Sequence, residues 1–167
     1  MIYLLHHKPA GESVILINPQ LGGVEPKYVD IDKLQVSLGT LKEVILFAHA
    51  FIGTDTTSAA YRRGKAQACQ LLKTLRDEMS IFYKKDASQE EISVAGEHFF
   101  LAWYGAENFA SLNIARFFKL REMIANQSVT NAMNLAVLPP TSGSAKQHSM
   151  RAYLLIHQCQ SVELDCT

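Results

Sequence analysis

The residues able to do chemistry are concentrated in one stretch, Phe47-Ala48-His49-Ala50-Phe51-Ile52-Gly53-Thr54-Asp55-Thr56-Thr57-Ser58-Ala59-Ala60-Tyr61-Arg62-Arg63-Gly64-Lys65-Ala66. It reads as an apolar helix ended by Gly53, an acidic residue, three consecutive hydroxyls, and a basic glycine-containing turn leading into another helix. Two chemistries suit that arrangement. Asp55, held at the end of an apolar helix, offers a carboxylate to a hard cation. The turn Arg62-Arg63-Gly64-Lys65 suits an anion, because Gly64 lets backbone amides come close to a phosphate, and the next helix N-terminus with Lys65 favours negative charge. The same residues also have a plain structural reading. Asp, Thr and Ser are preferred helix caps, worth about 1 kcal/mol each, and Arg62, Arg63 and Lys65 suit a solvated face. His49, on an apolar helix, reads as a satisfied core histidine rather than a ligand.

The elements that must position this stretch follow from local pattern. Ile2 to Leu5 and Val14 to Ile17 are short β-prone runs, with turn chemistry at Pro9-Ala10-Gly11 between them. Asn18 to Pro26 reads as a loop, after which Asp30 caps a short helix through Leu38 that Gly39 ends. Thr40-Leu41-Lys42-Glu43 matches a capping box and predicts a buried helix from Leu41 to about Ile52. Two more boxes, at Ser88 to Glu91 and Ser144 to Gln147, predict helices of roughly Glu90 to Tyr104 and Ala145 to Gln158. Between them Asn108 is expected to cap an amphipathic helix, Phe109 to Ala125, with Leu112, Ala115, Phe118 and Ile124 at helical spacing and Arg116, Lys119 and Glu122 elsewhere on the wheel. Leu138-Pro139-Pro140-Thr141 must be extended, since proline disfavours helix for its predecessor. Phe99, Phe100, Trp103 and Tyr104 read as core aromatics.

The chemical stretch carries a resemblance. His49-Ala50-Phe51-Ile52-Gly53-Thr54-Asp55-Thr56-Thr57-Ser58, followed by Tyr61 and Gly64-Lys65, resembles the HAFTGCDTTS…GKGK signature of a largely uncharacterised group of invertebrate, often transposon-associated proteins. That signature is similar to the region of PIN-like, flap-endonuclease-like nucleases where Gly-x-Asp follows a helix and introduces a helix-two-turn-helix. Gly96-Glu97 through Trp103-Tyr104-Gly105, Asn113 with Ala115-Arg116, Leu138 to Thr141, and His148 with Arg151-Ala152 and Gln158 resemble later positions of the group. The resemblance implies an α/β fold, mostly helical. Residues 1–80 would be the C-terminal part of a PIN-like domain with a small β-sheet remnant, and 81–167 a helical extension packed on it. It maps Asp55 onto a metal-ligating, catalytic carboxylate and the turn around Gly64 and Lys65 onto a duplex-backbone contact. In such enzymes several carboxylates hold one or two divalent ions. Here the acidic segment that precedes the first strand in related proteins would lie before Met1, Thr54 stands in place of Cys, and Arg62 in place of Gly. The implied function is a catalytically inactive derivative that binds the nucleic-acid backbone, with no cofactor of its own. The alternatives are a Mg- or Mn-dependent structure-specific nuclease, if an upstream acidic segment completes the site, and a structural or interaction domain whose incomplete sheet leaves an open edge.

Bulk properties bound these readings. The 167 residues suit one domain with a real core, at 48% apolar and 19% charged. Sixteen basic and sixteen acidic residues cancel, so DNA binding must come from a local patch. Cys69, Cys159 and Cys166 form no CxxC pair, which fits an intracellular compartment, nuclear or cytoplasmic, better than a disulfide framework or zinc site. The sequence suggests no signal peptide and no membrane span. His6-His7 on a strand would face opposite ways, and His148 and His157 are too far apart for one helical face, so no metal centre is expected from histidine.

Overall fold

Asp30 caps a short helix as the sequence predicts. Its carboxylate accepts the Lys33 amide at 3.1 Å, capping helix α2 (Ile31–Leu38), and Gly39, at φ 54°, ends it. A positive φ there is the conformation only glycine adopts cheaply. The computed structural model describes residues 2–8, 13–19, 25–53, 63–126 and 134–161. Within them the chain is mostly helical, with one small antiparallel sheet.

The N-terminal expectation needs correction. Ile2 to Leu5 is not a strand but part of a helix, α1 (Ile2–His7). A four-residue apolar run does not distinguish strand from buried helix, and six residues form no stable helix alone. Tertiary contacts decide: Leu5 is buried, Gln35 Nε2 donates to the Leu5 carbonyl at 2.9 Å, and His7 Nε2 pairs with the Cys159 carbonyl at 2.8 Å. The expected second strand is present as β1 (Ile15–Asn18), and its partner is β2 (Lys27–Asp30), paired Ile15 with Asp30 and Ile17 with Tyr28. No alternation in Lys27-Tyr28-Val29-Asp30 announces that strand. Ile15, Ile17 and Tyr28 share one face of the hairpin, and all three are exposed.

The predicted helix from Leu41 to Ile52 divides in two. Gly39–Val44 is a tighter 3-10 segment, and α3 (Ile45–Ile52) follows. The Thr40 box does not form, because its residues lie within the 3-10 turn and α3 has no side-chain cap of its own. Burial is as expected: Leu46, Phe47, Ala48, Ala50, Phe51 and Ile52 are all buried. His49 is the exception. It is exposed, so the expectation of a core histidine fails there. By length and composition alone Ile31–Ile52 is apolar enough to cross a bilayer. In this fold its apolar residues from Val44 onward, Ile45 only in part, are core.

Helix α4 (Lys65–Met79) is followed by a 3-10 turn, then α5 (Gln89–Trp103), α6 (Leu112–Ala125) and α7 (Ser142–Ser161). The Ser88 box forms in full: Ser88 Oγ accepts the Glu91 amide at 3.2 Å and Glu91 accepts the Ser88 amide at 2.8 Å. Two caps move. Ser111, not Asn108, caps α6, and Thr141, not Ser144, receives the first-turn amide of α7, so α7 opens earlier than predicted. Leu138 is extended, at ψ 150°, as the prolines require.

The core is built around α3. Phe47 and Phe51 stack at 4.7 Å and meet Phe82 and Phe99 edge-on, while Trp103 closes the cluster against Phe99. Helices α5 and α7 pack against α3 and against each other, so one core runs across residue 80. On α6 only Leu112 and Ala115 are buried. Phe118 and Ile124, expected on its core face, are 44% and 57% exposed.

Candidate nucleic-acid interface

Helix α4 begins in the open. Gly64, at φ −77° and ψ 140°, precedes Lys65 and contributes no side chain to cap the first turn. Both residues are exposed. The backbone there is one any residue adopts, and an added Cβ meets nothing within 4 Å, so local geometry does not require glycine. What the missing side chain leaves is a set of first-turn amides without a local cap, which is the arrangement that accepts an anion.

Arg63 is half-buried, with its guanidinium 4.3 Å from the centroid of the Tyr104 ring. Such cation–π contacts contribute about 0.5–2 kcal/mol and, here, fix the direction of a long side chain. Tyr104 is itself held by the end of α5. Gly105, at φ 60°, donates to Ala102 O at 3.0 Å and Ala106 to Leu101 O at 2.8 Å, the paired bonds of a Schellman stop. The Tyr104 carbonyl accepts from Lys119 Nζ at 2.8 Å. Burial pushes the Tyr104 phenol above its ordinary range, against the opposing pull of the Arg63 and Arg116 charges. Arg116 is anchored in turn to Pro139 O at 2.6 Å. Arg63 and two cations of α6, Arg116 and Lys119, therefore lie around one tyrosine, with Lys65 two residues after Arg63.

Of the residues singled out in the sequence, Arg63, Gly64 and Lys65 fall in this region, while Asp55 and Arg62 lie outside the described residues, as does the segment that would form the turns of a helix-two-turn-helix. Among the described residues no group of three or more His, Cys, Asp or Glu side chains could hold a metal. Three acids earlier in the chain have structural partners. Asp30 caps α2, Asp32 pairs with Lys8, and Glu43 lies 3.6 Å from Arg76. His6 and His7 sit on a helix, not a strand, and burial lowers the His6 pKa. In the sequence Tyr104 stands as a core aromatic and Arg116 and Lys119 as wheel positions, Tyr104 and Arg116 also falling among the later positions of the resemblance. The one signal that marks Tyr104 is the glycine after it, which ends α5 there.

The later motif positions prove to be joints between helices. Glu97 Oε1 accepts from the Leu112 amide at 2.8 Å and from Ser142 Oγ at 2.7 Å, tying α5 to the starts of α6 and α7. Asn113 Oδ1 accepts the Ser142 amide at 3.0 Å. His148 is the buried histidine: its Nε2 donates to Phe51 O at 2.9 Å, satisfying a carbonyl in the last turn of α3. These contacts set where the end of α3 and the start of α6 lie relative to Tyr104. Compared with protein-family models, with curated proteins and with solved structures, the chain matches none.

Proposed function

We propose that this chain is a nucleic-acid-binding module of PIN-like, nuclease-related descent that contacts the phosphate backbone through Arg62, Arg63, Gly64 and Lys65. The observation that carries this reading is the convergence of Arg63, Arg116 and Lys119 on Tyr104 beside the uncapped start of α4. With net charge zero, the chain has no long-range pull on DNA, so affinity rests on this local cluster. Backbone amides and cations recognise phosphate whatever the base sequence, so binding is sequence-independent. Catalysis is not part of the proposal, because Asp55 alone does not assemble the several carboxylates that hold Mg or Mn for phosphoryl chemistry.

The test is fluorescence anisotropy with a blunt duplex. Lys65→Ala and Arg63→Ala each weaken binding to the same degree across unrelated sequences. With about three phosphates neutralised, log K falls against log salt with a slope of about −3. Affinity unchanged in both variants would reduce the turn to a solvated face.

A further inference from the structure

Beside Tyr104 lies an open cleft of about 490 Å³ between the loop after α5 and the outer face of α6, lined by Gly105, Asn108, Phe109, Phe118, Lys119 and Arg121. Its volume is in the range of small-ligand sites, roughly 300–1,000 Å³. It combines aromatic rings with cations. The Phe109 and Phe118 rings are stacked at 5.4 Å and 26°, and the Phe117 ring meets Phe118 edge-on at 5.6 Å, which fixes the orientation of a ring that is 44% exposed. Phe109 packs against the edge of the core, whereas Phe117 and Phe118 stay outside it, since α6 buries only Leu112 and Ala115. Two cations stand at the cleft. Lys119 spends one N–H on Tyr104 O and keeps two, and Arg121 is exposed and makes no ion pair among the described residues. Glu122 is the one carboxylate on the lining, so positive charge is in excess.

We infer that this cleft receives an unpaired nucleobase of a single nucleic-acid strand, which stacks on Phe118 while Lys119 and Arg121 take its flanking phosphates. A flat exposed aromatic flanked by cations is the pairing that single strands need, because every base has a π face and every linkage a negative charge. The inference extends the proposed backbone contact at Arg63 to Lys65 and rests on it, since Tyr104 and Lys119 join the two regions.

The experiment compares a labelled oligothymidine strand with a blunt duplex, on the full chain. Phe118→Leu keeps apolar bulk and removes the stacking face. It lowers affinity for the strand by about fivefold or more, as loss of one stacked base requires, and leaves duplex binding unchanged, while Phe118→Tyr retains parental strand affinity. Strand affinity unchanged in Phe118→Leu overturns the inference. So does thymidine monophosphate binding as tightly as the strand in a Phe118-dependent manner, which would make the occupant a free nucleotide. A Phe118-dependent strand affinity in a protein that does not bind duplex sinks the turn reading and spares the cleft. Loss of duplex binding in Lys65→Ala with Phe118-independent strand binding does the reverse.

Discussion

Single residues in this protein act where two helices leave no room or leave a group unpaired. A Cβ added at Gly96 would lie 1.9 Å from Ser149 Oγ and 2.8 Å from Ser149 Cβ, with Ser149 fully buried on α7 and donating to Ala145 O. Alanine improves helix propensity by up to about 1 kcal/mol, whereas overpacking a core contact costs about 1–3 kcal/mol. The steric term wins, so Gly96→Ala lowers the urea midpoint. Ser149→Ala restores only part of the loss, since the Ser149 Cβ remains too close. Tyr83 and His148 do the opposite job at the ends of α3. The Tyr83 hydroxyl accepts the Phe47 amide at 3.0 Å, and burial pushes its pKa up to about 12. His148 accounts for the Phe51 carbonyl at the other end. A buried polar group left unmatched costs about 1–3 kcal/mol, so these two contacts let a nearly all-apolar helix end inside the molecule.

At the level of elements, the start of α4 differs from its neighbours in having no side-chain cap. Ser88 and Ser111 give α5 and α6 hydroxyl caps, yet Gly64 gives α4 none. Gly64→Asp supplies a cap and a charge that complements the helix dipole, so stability rises by about 0.5 kcal/mol. The same carboxylate occupies the amides and repels phosphate, so duplex affinity falls. Thermal unfolding and anisotropy on one variant thus move in opposite directions. Joint increases in stability and affinity would remove the open start of α4 from the proposed interface. The pattern in the sequence located most of these helices, because Asp30, Ser88 and the apolar run of α3 carry local signals. It misplaced the caps of α6 and α7, since Asn108 and Ser144 are as good by residue type as Ser111 and Thr141. Where Glu97 and Asn113 fasten the two helix starts decided between them.

For the whole molecule the buried His148 and the half-buried His6 contribute to the response to acid. Burial, with the Arg151 charge beside it, lowers the His148 pKa against the favourable bond to Phe51, and burial with the His7 charge lowers that of His6. The unfolded chain takes up these protons near the ordinary value of 6.5 while the folded chain resists them. Unfolded protein then binds more protons in the window below 6.5, so stability falls as pH drops through it and is level above it. The thermal midpoint should decline from about pH 7 to pH 5, and His148→Gln, which keeps a donor for Phe51 O, should flatten part of that decline. An unchanged slope in His148→Gln would leave the effect to His6. The capping carboxylates Asp30 and Glu91, with lowered pKa values, add a loss in the same direction at more acidic pH.

Local pattern alone determined that the chain is mostly helical, where α2 and α5 begin, and that α3 is buried. Those features depend on residues within a turn or two of one another, and helix periodicity and caps report such short-range physics. Tertiary structure decided the rest. It made Ile2–His7 a helix through contacts with Gln35 and Cys159, paired β1 with Lys27–Asp30, exposed His49 and buried His148 in its place. It also brought Arg63, Arg116 and Lys119 to Tyr104. Helical spacing relates Arg116 to Lys119, but no spacing rule brings that pair to Arg63 and Tyr104, which meet them only once the start of α4, the end of α5 and α6 have packed.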